Sequence, residues 1–445
     1  MTIHDQNTAR PAPGPAAVRP IWDGENSIDP ASYTPPPPPE PAPTPGRWTK
    51  AAAFGPLGDT RRLVGLDCAR GVALLGMVAV HSLPAYNEYT GAPTIIWRLF
   101  AGHSAVLFAV LTGVTIALIT GANNPKTGRS LLRARWSLTV RALVILLLGL
   151  TMGFVDIPVY NILPYYGLMF LLAVPLTGLR IRSLVAVAVS LLVLGPVVIR
   201  VVTAWNGFTT VTNPSFADVV SMPTDVLITL FVGGTYPVVT WFAFVCLGMA
   251  VARLNLRWLM TQARLVVVGV GVALVGYLTS SLLIDFAGGF EQLYLHSDGL
   301  EAEDIGDILA YGPEGQLPTG TNWWFAVAGP HTNMPLWILA AAGVALMVIG
   351  VFLVVSRIVT TSLTPLAASG SMTLTLYTGH LLFLAFFWDD MWDRPVLWFS
   401  AQVVGLVSFA TAWHLAHGRG PLEEVISRTC RRISRAIVRD EKVSR

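Results

Sequence analysis

The chain has 445 residues, of which 53% are hydrophobic and only 12% are charged, and it contains fourteen tryptophans. This composition is typical of a polytopic membrane protein and excludes a soluble globular domain. The formal net charge of +3 is too small, and too evenly spread over the loops, to indicate a nucleic-acid partner. Cys68, Cys246 and Cys430 make no disulfide framework, so we interpret all three as free thiols.

Residues 1–60 form a proline-rich segment that includes PPPPPEPAPTP and few large apolar side chains. Such a segment cannot bury enough apolar surface to offset the entropy cost of ordering, so the sequence predicts a disordered cytoplasmic tail. The tail either binds a protein partner through its proline-rich stretch or is an extension without a partner. We expect no cleavable signal peptide, because the first apolar run starts only after Arg61 and Arg62.

Apolar runs recur over residues 61–418, and we count ten candidate membrane spans. They lie at 64–81, 99–120, 137–155, 162–178, 184–203, 236–252, 265–284, 335–355, 371–388 and 395–416. The run 226–235 is too short to span alone, which indicates a re-entrant or interfacial segment on the outer side. The sequence therefore predicts an all-α integral membrane fold, a bundle of about ten transmembrane helices.

Basic residues fall on alternate connections between these spans, for example in the loop 126–135 and in the C-terminal tail 419–445. The other connections are acidic, and 285–335 alone holds eight acidic residues with no Lys or Arg. Because cytoplasmic loops collect Lys and Arg, this pattern predicts that both termini are cytoplasmic. We expect a multi-pass protein of the plasma membrane that ends in a basic cytoplasmic tail.

The first span, GLDCARGVALLGMVAVH, carries three ionisable side chains on one helix face. At about 100° per residue, Arg70 and His81 lie on one stripe, roughly 16 Å apart along the axis, and Asp67 joins them. Ionisable groups inside spans are costly and usually face a bundle interior or a water-filled cavity. His81 is therefore a candidate proton acceptor, and the alternative is that it only caps the helix at the interface.

Two further spans carry histidines among polar or small residues. His103 begins the second span, where neighbouring glycines also suit close helix packing. In the ninth span Thr373, Tyr377 and His380 follow i, i+4, i+7 spacing and share one polar face. This face either takes part in chemistry or makes interhelical hydrogen bonds.

The connection before the eighth span places His331 and Trp324 near the predicted outer mouth of the bundle. A tryptophan at that depth either anchors the protein in the interface or stacks on a sugar ring. Metal-ligand spacing, a phosphate-binding glycine motif and a nucleophile elbow are not recognisable in the sequence. We therefore expect no metal cofactor.

The motif RGVALLGMVAVH resembles the opening helix of polytopic membrane acyltransferases, in which an arginine start is followed eleven residues later by a histidine. Further stretches resemble a narrower group, the bacterial YeiB-like proteins related to heparan-alpha-glucosaminide N-acetyltransferase. They are LFAVLTGVTIAL at 107–118, ILPYYGLMFLLAVPL at 162–176, GTYPVVTWFAFVCLGMAVARLNL at 234–256, PHTNMPLWILAAAGVALMVIG at 330–350, PLAASGSMTLTLYTGHLL at 365–382 and GPLEEVI at 420–426. The resemblance implies about ten or eleven helices.

By analogy, the resemblance also implies transfer of an acyl group from cytoplasmic acetyl-CoA, or another acyl-CoA, to a hydroxyl or amine of an envelope glycan or glycolipid. His81 would be the general base or a transient acyl carrier, with His103 as the second candidate. Arg70 would face the CoA phosphates or hold Asp67.

The remaining candidates are assigned to substrate binding. Thr373, Tyr377 and His380 would line the passage, while His331 and Trp324 would belong to the acceptor mouth. The alternative function is a transporter or exporter of a lipid or small metabolite, in which the same buried His, Asp and Arg groups form a proton path. Besides membrane lipids, the partners that we expect are the glycan acceptor and either a second copy of the chain or a protein bound by the proline-rich tail.

Overall fold

The computed structural model describes residues 63–205, 207–359 and 361–438, so the predicted N-terminal tail lies outside the described residues. Within these ranges the chain is helical, with one isolated bridge between Tyr86 and Pro93 and no strand. Seventeen α-helices follow one another. They are α1 (Val64–Ser82), α2 (Ile95–Phe100), α3 (His103–Ile119), α4 (Gly128–Met152), α5 (Leu163–Leu176), α6 (Ile181–Trp205), α7 (Phe216–Ser221), α8 (Pro223–Ile228), α9 (Val238–Ala252), α10 (Leu259–Ser281), α11 (Gly289–Leu295), α12 (Ala302–Tyr311), α13 (Pro335–Val355), α14 (Thr364–Ser371), α15 (Thr373–Met391), α16 (Pro395–His417) and α17 (Pro421–Ile437).

Among the described residues, six helices are long and apolar enough to cross a membrane: α1, α2 with α3, α6, α10 with the π-helical turn after it, α13 and α16. Two bent pairs, α8 with α9 and α14 with α15, raise this number to eight. The all-helical membrane fold is confirmed. The predicted count of ten also includes α4, whose first turns carry arginines, and the 14-residue helix α5, and it stays a prediction.

The segment predicted as re-entrant or interfacial forms α8 and a π-helical turn at Thr229–Gly233. The chain then bends by 52° into α9. Pro237, immediately before α9, has no N–H to continue a helix from the preceding turn. The short segment and the following span therefore form a bent pair.

The bend between α14 and α15 is sharper, at 82°. It leaves the first N–H groups of α15 without intrahelical partners. Glu423, in the first turn of α17, accepts hydrogen bonds from the backbone N–H of Leu374 at 2.8 Å and of Thr375 at 3.1 Å. The hydroxyl of Thr375 also donates to Glu423, at 2.5 Å. The C-terminal segment, predicted as a basic tail, thus contains a helix that caps α15.

The centre of the bundle is formed by helices whose backbones approach closely. A Cβ atom added to Gly113 in α3 would collide with the carbonyl oxygen of Val245, and one added to Gly248 in α9 would collide with that of Val110. Small residues permit such contacts between membrane helices. The helices α1 and α2–α3 are mostly buried, whereas α6 and α16 are mostly exposed. His81 and His103 therefore lie on central helices.

Candidate functional site

Two of the predicted site histidines meet at the end of α1. Nδ1 of His81 lies 2.9 Å from Nε2 of His380, and the two ring planes differ by only 3°. On its other side, Nδ1 of His380 lies 2.9 Å from Oε1 of Gln402 in α16. The polar face predicted for the ninth span is thus directed at the first predicted catalytic histidine.

Gln402 is a component of the site that our reading of the sequence missed. It is buried in α16, within the predicted span 395–416. The signal was present, because a polar side chain inside an apolar span is costly unless another helix satisfies it.

The charged pair predicted on α1 is formed. A guanidinium nitrogen of Arg70 lies 2.7 Å from Oδ1 of Asp67, and a second one donates to the hydroxyl of Thr115 at 2.7 Å. Thr115 donates in turn to the carbonyl of Leu111, also at 2.7 Å. Arg70 is therefore held between its own helix and α3.

A cavity of about 150 Å³ lies between α1, α3, α4, α5, α15 and α17. Its polar lining side chains are Thr112, Thr115, Arg141, Tyr166, Thr373, Tyr377 and Glu423. Met77 also lines it and precedes His81 by four residues, while Tyr377 precedes His380 by three. Since positions three and four residues apart share a helix face, the cavity extends to within about one turn of the histidine pair.

Arg141 in α4 is the second site residue that sequence reasoning missed. It lies in the predicted span 137–155, where a charged side chain is itself a signal of a functional site. No described residue forms a hydrogen bond or an ion pair with its guanidinium. The carboxylate of Glu423 on the same wall accepts hydrogen bonds from backbone N–H groups in the first turn of α15. The cavity thus presents a guanidinium that makes no hydrogen bond to a described residue, with the carboxylate of Glu423 on the same wall.

His331 occupies a constrained loop just before α13. The φ angles of His331 and Asn333 are +56° and +58°, in the left-handed region that few residues other than glycine adopt. The amide oxygen of Asn333 accepts a hydrogen bond from the indole of Trp241 at 2.7 Å, and its nitrogen donates to the carbonyl of His331 at 2.9 Å. Aromatic rings of Tyr236, Trp241 and Trp337 surround the imidazole at centroid distances of 5.5, 6.2 and 6.0 Å.

The predicted acceptor residues border a second cavity, of about 180 Å³, at the predicted outer end. His331, Asn333, Arg200 and Glu314 are among the residues that line it. Nδ1 of His331 is buried without a hydrogen-bond partner among the described residues. Burial, with a smaller effect of the nearby His103, lowers the pKa of His331 from 6.5 to about 4. The ring is therefore neutral at physiological pH.

Trp324 lines this second cavity too, but it is only 1% exposed, and its indole N–H donates to the hydroxyl of Ser297 at 3.1 Å. Protein contacts thus occupy most of the ring. Its proposed role in stacking on a sugar stays a prediction.

The other predicted catalytic histidine lies apart from the His81–His380 pair. Nε2 of His103 is 2.6 Å from the hydroxyl of Tyr277 in α10. Both side chains line a third cavity, of about 420 Å³, together with Arg98 and Asp285. The structure therefore associates His103 with a separate cavity of the predicted outer end.

A family model described as the catalytic region of heparan-alpha-glucosaminide N-acetyltransferase matches residues 62–282. Over that region the chain matches the model of this family. The match covers about half of the chain and includes His81, Arg70, His103 and Arg141, whereas His380 and Gln402 lie beyond it. No protein of curated function matches the chain. The family match points to a membrane N-acetyltransferase.

Proposed function

We propose that the protein is an integral membrane acyltransferase that moves an acetyl group from cytoplasmic acetyl-CoA to an amine or hydroxyl of an envelope glycan or glycolipid. One observation carries the proposal. A cavity that contains the guanidinium of Arg141 extends from α17 to within about one helix turn of the His81–His380 pair. The family match supports the same reaction class.

The cavity suits one part of an acyl-CoA molecule. Its volume of about 150 Å³ is smaller than a typical ligand pocket of roughly 300–1,000 Å³, so it would take the acyl-bearing arm while the nucleotide stays nearer the cytoplasm. Arg141 would neutralise a phosphate of the donor, because a guanidinium makes strong charge-assisted hydrogen bonds to phosphate oxygens. The guanidinium of Arg70 donates a hydrogen bond to Thr115, which lines the cavity.

In the proposed reaction His81 is the general base. It takes a proton from the acceptor hydroxyl or amine while that atom attacks the thioester carbonyl. A carbon–oxygen or carbon–nitrogen bond forms, the carbon–sulfur bond breaks, and protonated His81 returns the proton to the CoA thiolate, which leaves as the thiol. Tyr377 and Thr373 line the passage to this centre, as the cavity suggests.

The acceptor would bind in the second cavity, beside His331. Its lining of hydroxyl, amide and charged side chains suits a polar sugar more than a lipid chain. For the donor and the acceptor to meet from opposite sides, the chain needs the ten-span arrangement with cytoplasmic termini that the loop charges predict. In that arrangement α4 and α5 are the two additional spans.

The experiment that tests the function incubates the purified full chain with labelled acetyl-CoA and a panel of amino sugars and glycolipids. We expect release of CoA together with an acetylated product, and loss of both in His81→Ala at an unchanged melting temperature. If substrate crosses vesicle membranes without CoA release, the protein is a transporter and the proposal is wrong.

A further inference from the structure

The hydrogen-bond chain behind His81 determines which nitrogen of its ring is available. Oε1 of Gln402 is a carbonyl oxygen and can only accept a hydrogen bond. Nδ1 of His380, 2.9 Å away, must therefore carry a proton. A neutral imidazole carries one proton, so Nε2 of His380 is an acceptor, and Nδ1 of His81 must donate to it.

These constraints leave Nε2 of His81 with a free lone pair. No described residue makes a hydrogen bond to this nitrogen. His380 is fully buried and Gln402 is 6% exposed, so water does not compete for either hydrogen bond. With the amide oxygen of Gln402 directed at His380, the chain of hydrogen bonds thus selects a single tautomer of His81.

We infer that Gln402 and His380 are positioning residues that hold His81 in the tautomer whose Nε2 accepts the acceptor's proton. The inference rests on the proposed function, in which His81 is the general base. When His81 receives a proton at Nε2, its Nδ1–H remains bonded to His380, and the carbonyl dipole of Gln402 stabilises the positive charge on the pair. The interaction resembles the way in which other catalytic histidines are oriented by a third group.

Few contacts fix the orientation of the Gln402 amide, so substitution of Gln402 tests the inference most directly. Its nitrogen is buried and has no hydrogen-bond partner among the described residues. Rotation of the amide by 180° would place a donor against His380 and so move the proton of His81 to Nε2. A carboxylate at this position has no such ambiguity, because both of its oxygens accept.

Two variants of the full chain separate positioning from packing. Gln402→Met keeps the side-chain length but removes the acceptor, and we expect kcat to fall about 100-fold at every pH, the order of a lost general base. The KM for acetyl-CoA should stay within twofold. Gln262→Met is the matched control, because Gln262 is also buried in a helix but bonds only to Leu256 and Arg357.

Gln402→Glu should keep the correct tautomer wherever His380 is neutral. A carboxylate raises the basicity of His380, and a doubly protonated His380 would force His81 into the wrong tautomer. The acid limb of the kcat profile should therefore move to higher pH, with recovery of wild-type kcat above it. Two other titratable side chains face the histidine pair. Tyr377 lies 6.5 Å from His380 between ring centroids, and His331 lies near His81. Neither residue is changed in the two variants.

The decisive readout is the ring nitrogen shifts of His81 in protein labelled with ¹⁵N-histidine, assigned by comparison with His81→Asn. We expect Nδ1 of His81 to be protonated in the wild type and Nε2 of His81 to be protonated in nearly all molecules of Gln402→Met. Protonation at Nε2 in the wild type, or an unchanged kcat in Gln402→Met, would overturn the inference. Because the nitrogen shifts need no substrate, this result is independent of whether acetyl transfer is detected.

Discussion

At the scale of single residues, Arg141 gives the sharpest prediction about the donor. Arg141→Gln should raise the KM for acetyl-CoA at least about tenfold, because a hydrogen bond to a charged group contributes about 1.5–3 kcal/mol, and it should leave kcat within threefold. Steady-state kinetics with acetyl-CoA as the varied substrate measure both constants. Arg135→Gln is the control, since Arg135 in the same helix bonds to Thr177 and Pro175 away from the cavity. Equal KM changes in the two variants would remove Arg141 from the donor site.

The lowered pKa of His331 predicts how the stability of the folded protein depends on pH. The folded protein holds its pKa near 4, below the value of 6.5 for an unperturbed histidine. Between these values the unfolded chain binds a proton that the folded chain does not, so stability falls as the pH is lowered through this window and is constant above about 6.5. The loss should be about 3 kcal/mol, because each unit of the pKa difference corresponds to about 1.4 kcal/mol.

The variant His331→Asn tests this prediction, because asparagine tolerates the left-handed backbone at this position. Its melting temperature should depend less on pH between 6.5 and 4 than that of the wild type. Parallel melting curves for the two proteins would show that other groups cause the acid instability.

Several candidate site residues could be found in the sequence by one physical rule, which is that a polar or ionisable side chain inside a membrane span is costly. Ionisable side chains inside apolar spans marked His81, His380 and Arg70, and the structure places the first two in direct contact. The same rule, applied to every polar residue, would have marked Arg141 and Gln402. That Gln402 bonds to His380 could not be predicted, because the rotation of α16 about its axis depends on packing between distant parts of the chain.

At the scale of elements, the capping of α15 by α17 links the C-terminal segment to the site. Glu423 satisfies two backbone N–H groups and one hydroxyl at the start of the helix that carries Tyr377 and His380. Glu423→Ala should destabilise the protein by about 1–2 kcal/mol, the typical cost of losing an N-terminal cap, and should lower activity as α15 shifts. Thermal unfolding in detergent and acetyl-transfer assays measure the two effects.

The adjacent Glu424 is the matched control for this change. It bonds to Arg428 at 2.8 Å on the exposed side of α17 and has no contact with α15. Glu424→Ala should therefore have little effect on melting temperature or activity. If both variants behave alike, α17 contributes only surface charge and does not support α15.

The bends between consecutive helices are the part of the fold that the sequence did not predict. Hydropathy located the spans that became α1, α6 and α13 to within a few residues. It did not show that the ninth span is preceded by α14 at an angle of 82°, because both parts are apolar and hydropathy carries no information on the angle between them. The segment before α9 was predicted not to cross the membrane by itself, and this prediction needed only its short length.

At the scale of the whole molecule, the ten-span topology predicts which loops face each compartment. Single cysteines in place of Gly315 and Thr127 should react differently with an impermeant maleimide on intact cells. Gly315→Cys should be labelled directly, and Thr127→Cys only after permeabilisation, because the loop charges place them on opposite sides. The native cysteines are buried and provide a low background. Labelling of both positions from one side would contradict the topology.

The arrangement also predicts that donor and acceptor are consumed on opposite faces of the membrane. The cavity with Arg141 lies beside the C-terminal helix, whereas the cavity with His331 lies among loops of the other end of the bundle. The His81–His380 pair is reached from the first cavity within about one helix turn. This separation is what distinguishes a transfer across the membrane from a reaction on one surface.

The most direct test of this claim uses proteoliposomes in which the cytoplasmic side of the protein faces out, with labelled acetyl-CoA outside and an amino-sugar acceptor inside. We predict acetylated acceptor in the lumen, an equal amount of free CoA outside, and neither product with His81→Ala. Acceptor flux without CoA release, or full acetyl transfer by His81→Ala, would contradict the account.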